Sequence, residues 1–195
     1  MSKVEPDSHK KERNKTIRWV ITIFVVTILV YGIISLVSEE IISSSGIIVA
    51  FIILLAIVLL GIIFDIIGVA VTSADEKPFH SMAARKVPGA LEAIRLLRNA
   101  ERVSSICNDV VGDICGVVSG SASATIAAQI LVNFEFSFPN VLTLVMSALV
   151  SGLTVGGKAI GKTFAINSNT KILHIVGKIL RFIHNIPNIF RKKKK

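Results

Sequence analysis

Residues 41–74 read IISSSGIIVAFIILLAIVLLGIIFDIIGVAVTSA. No charge interrupts this run before Asp65, and apolar residues then resume as far as Ala74. An uncharged apolar stretch longer than about 18 residues is long enough for a helix to cross a bilayer. Only structures that satisfy every backbone polar group internally survive in lipid. The stretch has no strand-like alternation, so it sets the fold class: all-α, a polytopic membrane helical bundle.

Working outward from it, the first eighteen residues are polar and basic, with Lys3, Lys10, Lys11, Arg13, Lys15 and Arg18, and residues 19–38 then carry no charge. That uncharged segment exceeds the roughly 7–15 residues of a signal-peptide core. It runs through Ser35, Leu36, Val37 and Ser38 into Glu39 and Glu40, with no small-residue cleavage site, so a retained membrane anchor is expected. After the opening stretch, residues 75–102 change character, because Lys77, Arg85, Lys86, Arg95, Arg98 and Arg102 appear among small and apolar residues. Pro78 and Pro88 break any single long helix there. Two short interfacial helices are predicted, the second with Leu91, Ile94 and Leu97 at helical spacing. Residues 103–132 form a third apolar segment, with Asp109 and Asp113 inside it, and residues 136–157 form an uncharged fourth that extends to about residue 165. Residues 166–195 are amphipathic, with Ile172, Ile175, Val176, Ile179 and Ile183 on one face and Lys171, His174, Lys178 and Arg181 on another. That tail is predicted to lie along the membrane surface.

The composition agrees with four spans plus interfacial helices. The 195 residues are 52% hydrophobic and 18% charged, which excludes a water-soluble domain and leaves no length for a separate catalytic one. No arrangement of nucleophile and base is visible, so the chain does not read as an enzyme. His9, His80, His174 and His184 fall in surface segments without metal-ligand spacing. Cys107 and Cys115 stand eight apart, neither a CxxC motif nor a disulfide geometry on one helix, and are expected to be buried small hydrophobes.

Six basic residues lie in residues 1–18, six in 75–102 and ten from Lys158 onward, which accounts for all 22 and leaves residues 38–45 and 133–140 with none. The positive-inside rule then predicts a multi-pass protein of the cell membrane with both termini and the central hairpin in the cytoplasm. The net charge of +9 is divided among membrane-flanking segments. It points to anionic lipids at the basic segments, above all at the terminal RKKKK, and away from nucleic acid as a partner.

Chemistry, if present, belongs to ionisable groups inside the spans, because an aspartate at mid-helix costs about 2.5–3.5 kcal/mol to insert. At 1.5 Å per residue, Asp65 and Asp109 fall about 9 Å from the cytoplasmic ends of their spans, Asp113 about 15 Å and Lys158 about 10 Å. Four ionisable groups on three helices are thus predicted to share one layer. Asp109 and Asp113, four apart, project from one helical face and can address one ion. Hard divalent cations take oxygen ligands, and Asp65, Asn108, Asp109 and Asp113 supply them. The competing reading is a buried polar knot in which Lys158 neutralises one aspartate and another is protonated. Gly112, Gly116, Gly120, Ala124 and Ala128 recur every four residues, a small-residue pattern for close helix packing either within one chain or between two. Gly152, Gly156, Gly157 and Gly161 cluster about Lys158, and either a broken helix with freed carbonyls or tight packing explains them.

These residues resemble the transmembrane domain of the CNNM/CorB magnesium transporters over roughly residues 46–183. LLRNAER, residues 96–102, is similar to the family phrase L-L-x-N-P-E-R with Ala100 at the proline. Asp109 and Asp113 fall at the two asparagines of N-x-x-x-N, and GKAIGKTFA from Gly157 is similar to G-E-x-x-P-K-x-x-A. The resemblance implies a three-span domain over residues 46–165, a homodimer and Mg2+ as transported ligand, with no other cofactor. Departures fall on ion-handling positions. Gly68 stands at the family glutamate of the first motif and Asp65 at a serine; Lys158 stands at the second glutamate and Gly161 at its proline. The family's cytoplasmic CBS domains have no counterpart in the sequence, and residues 19–38 add a span. The expected function is therefore handling of a divalent cation, with Lys158 as counter-charge. The alternative is a non-transporting membrane scaffold or regulator whose aspartates Lys158 neutralises.

Overall fold

A computed structural model describes residues 6–133 and 138–192, and every element among them is helical. The order is α1 (Pro6–Ser44), α2 (Ile47–Ser73), α3 (Lys77–Ala84), α4 (Ala90–Arg98), α5 (Ala100–Ser105), a π-helical turn (Ile106–Gly112), α6 (Asp113–Asn133) and α7 (Pro139–Lys192). Among the described residues four helices are long and apolar enough to cross a membrane: residues 16–44, 47–73, 100–133 and 140–185. The expected connector around Phe134 and Glu135, and the last three lysines, lie outside the described residues.

α2 is the central element, packing on α6, α7, the π-helical turn and α5. Its buried residues Ala50, Leu54, Val58, Gly61, Asp65 and Gly68 repeat every three or four positions, so one stripe of a helix that is otherwise apolar on all sides meets protein. Toward one end that stripe joins Ala122, Ile126, Val150 and Ile42. At the other end Ala70 and Val71 join Phe79, Ala93, Ile94, Ala165 and Leu173 beneath the hairpin.

α1 runs further than the uncharged segment indicates, because the basic residues from Pro6 onward continue the helix and it passes through Glu39 and Glu40 to Ser44. Ser45 and Gly46 are the whole connection to α2. Ile23, Val30, Tyr31 and Ile34 dock α1 on Val110, Ile114 and Val118, which are spaced every four residues along the π-helical turn and α6. The Arg102 guanidinium stacks over the Trp19 ring, 5.2 Å from its centre.

The hairpin forms as predicted, with two short helices α3 and α4 separated by Lys86 and Gly89, both at positive φ (56° and 89°). On α4, Ala90, Ala93 and Ile94 are buried and Leu97 packs against the same cluster, while Leu91 is 60% exposed. The reason is a close backbone approach. A Cβ on Gly177 of α7 would collide with the Gly89 carbonyl, and a Cβ on Gly89 would lie 2.6 Å from the Lys178 nitrogen. Backbones this close leave room for alanine on the facing turn and turn leucine outward.

α7 remains helical through Gly152, Gly156, Gly157 and Gly161, so the glycines do not break it; its non-helical residue is Ser168 (φ −124°, ψ 18°). Gly157 and Gly161 instead receive Ile62 and Ile66 of α2, one four-residue pair against another. Beyond Ser168 the tail helix buries Leu173 and Gly177 against the hairpin and leaves Ile175, Ile179, Phe182 and Ile183 exposed. Gly177→Ala is expected to lower stability by about 1–3 kcal/mol, the usual effect of overpacking, read as a lower thermal midpoint of the purified protein. An unchanged midpoint would show that tail and hairpin are not in backbone contact.

Candidate functional site

The four expected ligands, Asp65, Asn108, Asp109 and Asp113, divide into two places, with the expected counter-charge Lys158 between them. Among the described residues no group of three or more His, Cys, Asp and Glu side chains stands close enough to hold a metal, so the three aspartates do not share one ligand cage. The single layer expected from depth along each helix is resolved by which face each residue occupies.

Asp65 is 4% exposed and lies on the α2 stripe between Gly61 and Gly68. Both glycines touch the next span. A Cβ on Gly61 would lie 2.8 Å from Cys115 Cβ, and one on Gly68 would collide with Asn108 Oδ1. Asn108 sits in the π-helical turn, where Nδ2 donates to Ser104 Oγ at 3.2 Å and so turns Oδ1 toward Gly68. Asp65 Oδ2 and Asn108 Oδ1 are both fully buried, and among the described residues neither has a hydrogen-bond donor. Residues 65 and 68 are about 4.5 Å apart along the helix axis. Two acceptor oxygens, one of them a carboxylate, are therefore held at the interface of α2 with the π-helical turn without the positive or donating group that burial demands. A cation, a proton or a buried water can satisfy them.

Asp109 and Asp113 face the other way. Val110, Ile114 and Val118 are taken by α1, while Asn108, Gly112 and Cys115 meet α2 or its neighbours. The remaining face points out of the protein. Asp109 is exposed, and the Asp113 side chain is 70% exposed. Lys158, whose side chain is only 19% exposed, lies between the two places: Nζ donates to the Gly112 carbonyl at 3.2 Å and stands 3.5 Å from Asp113 Oδ1. Gly112 itself is enclosed, since a Cβ there would lie 3.2 Å from the Cys107 carbonyl and 3.4 Å from Lys158 Nζ. Asp113 and Lys158 open onto a groove of about 380 Å³ between α6 and α7, lined also by Gly116, Gly120, Ser151 and Thr154.

Within one chain the small-residue repeat packs closely at its start. Gly112 is tightly packed, whereas Gly116 and Gly120 have nothing within 4 Å of a Cβ, and Ala124 and Ala128 are exposed. The cysteines are free and buried, as their spacing predicts. A buried hydroxyl contact that periodicity does not show joins α6 to α7: Ser123 and Ser147 Oγ atoms are 3.3 Å apart. The π-helical turn was likewise not visible in the sequence, since nothing in ICNDVVG distinguishes it from an α-helical turn.

Comparison with protein-family models, curated proteins and solved structures gives no match.

The two charged contacts should respond differently to substitution. Asp113→Asn is expected to change stability by less than about 0.5 kcal/mol, because an exposed ion pair contributes little. Lys158→Met is expected to cost about 1–3 kcal/mol, since it strips a donor from an enclosed carbonyl. Thermal melts of both variants check the order, and the reverse ranking would make the ion pair the main role of Lys158.

Proposed function

We propose that this membrane protein handles a cation, divalent and Mg2+-like, which it binds between α2 and the π-helical turn and carries across the membrane. One observation supports the reading above the others: two buried acceptor oxygens, Asp65 Oδ2 and Asn108 Oδ1, without a donor at a helix interface tightened by glycine. Hard cations accept such oxygen ligands, and Mg2+ retains several waters, so two protein groups are a sufficient share of its shell. π-helical turns inside α-helices occur frequently at functional positions. In this reading Lys158 is a counter-charge held at the Gly112 carbonyl, one turn of α2 away from Asp65, with exposed Asp113 as the place to which its ammonium is drawn when a dication arrives. Asp109 and Asp113 then serve the approach to the membrane interior rather than the binding itself.

The resemblance to CNNM/CorB transporters belongs to the same proposal, and with it the homodimer, the cell membrane as location, cytoplasmic termini and the absence of enzymatic activity. Anionic lipids are the proposed partners of the basic segments.

A second reading draws support from the Lys158 contacts. An ammonium bound to the Gly112 carbonyl and close to Asp113 is already placed as a permanent lock, which suits a scaffold or regulator that moves no ion.

Titration of the purified protein with Mg2+ and with Na+ separates the two. A ligand that binds only the folded state stabilises it by about 2.7 kcal/mol at a hundred times its dissociation constant. The cation reading expects Mg2+ to raise the thermal midpoint, Asp65→Asn to abolish the rise and Asp113→Asn to preserve most of it. A wild-type midpoint indifferent to both cations would favour the scaffold.

A further inference from the structure

A second cavity, of about 410 Å³, lies where the hairpin meets the tail of α7, and Asp65 does not line it. Its walls are Glu92, Arg95 and Leu96 of α4, with Asn99 and Val103 beyond it, and Leu180, Ile183 and His184 of the tail. The charged groups in it are uncommitted. Arg98, the other arginine of α4, is held by Glu76 at 3.0 Å, but among the described residues neither Arg95 nor Glu92 makes an ion pair. The two stand three residues apart on one helix and are within reach of each other, yet they do not pair.

The tail helix tells from which side this cavity is reached. At 3.6 residues per turn, Leu180 and His184 flank the buried line of Leu173 and Gly177, and Ile183 lies next, toward the exposed apolar face of Ile175, Ile179 and Phe182. Lys171, Lys178 and Arg181 lie on the opposite flank of the buried line. The cavity thus opens beside the apolar face, not beside the basic one. Its depth is marked by Asn99 and Val103, on either side of the start of the third span at Ala100, and by neighbouring Arg102 stacked on Trp19, the residue type that gathers at the level of lipid headgroups.

A pocket at headgroup level, open toward an exposed apolar face and carrying one free cation and one free carboxylate, matches a zwitterionic amphiphile. We infer that this cavity binds the headgroup of an amine-bearing phospholipid, with the phosphate on the Arg95 guanidinium beside His184 and the ammonium on Glu92. The acyl chains run along Ile183, Ile179 and Phe182 into the leaflet. Arginine suits phosphate because its planar donors engage two oxygens at once. The apolar residues Leu96, Val103, Leu180 and Ile183 have no role for a free phosphate but suit the glycerol and first methylenes of a lipid. Occupation would bridge α4 to the tail and so fasten the hairpin beneath the spans. This site is independent of the cation reading.

The test titrates the purified full chain in detergent with a short-chain phosphatidylethanolamine and follows the thermal midpoint. The lipid is expected to raise it, Arg95→Gln to weaken binding at least about tenfold and Glu92→Gln by several-fold, as for loss of a charge-assisted bond. Arg95→Lys should recover part of the loss, which a merely misfolded variant would not. Asp65→Asn should bind the lipid as the wild type does, whatever becomes of its cation response. Parallel titrations use glycerophosphoethanolamine, inorganic phosphate and short-chain phosphatidylglycerol. An equal shift with either soluble compound would replace the lipid with a soluble phosphate ligand. Equal binding of phosphatidylglycerol, indifferent to Glu92→Gln, would overturn the zwitterionic assignment. No shift with phosphatidylethanolamine, or one untouched by both substitutions, would overturn the site.

Discussion

The close approach of α2 to the π-helical turn organises this molecule. Gly61 and Gly68 bring the α2 backbone against Cys115 and Asn108, and the carboxylate of Asp65 is sealed between them. Burial of that kind is what makes an unpartnered acceptor expensive. A methyl group at Gly68 would displace the Asn108 amide, so the same glycine sets both the packing and the position of the second oxygen. Around this contact the rest of the fold is arranged as support: Ile62 and Ile66 seat α7 on the flanking face, and Val110, Ile114 and Val118 seat α1.

Much of this architecture is legible in the sequence because bilayers impose a simple rule. Residues 41–74 are uncharged for long enough to span, and the helix follows. Pro78 and Pro88 divide the basic middle segment, and a two-helix hairpin follows. Asp65 and Asn108 could be singled out because ionisable and amide groups inside spans are costly enough to require a reason.

The division of the aspartates was not legible, and the cause is geometric. Depth along a helix can be counted from residue numbers, but the face that meets a neighbour depends on the other helices. Asp109 and Asp113 do share a face, as their spacing requires; α1 and α2 occupy the other faces of that segment and leave this one outward. A π-helical turn has no residue signature either, so the local rotation it adds escapes any wheel drawn at 3.6 per turn. The outward turn of Leu91 has the same origin, since the Gly89–Gly177 contact is a property of two segments almost ninety residues apart. Likewise, one small-residue repeat divides into an enclosed Gly112 and open Gly116 and Gly120, according to what stands opposite.

The proposed function requires that a metal ion, and not a proton, answer the buried oxygen of Asp65. Infrared difference spectra of the purified protein with and without Mg2+, compared between wild type and Asp65→Asn, read the state of that carboxyl group directly. The account predicts an ionised carboxylate band that shifts when Mg2+ is added and vanishes from the difference spectrum of the variant. A protonated carboxyl stretch that disappears with Asp65→Asn but ignores Mg2+ would contradict it.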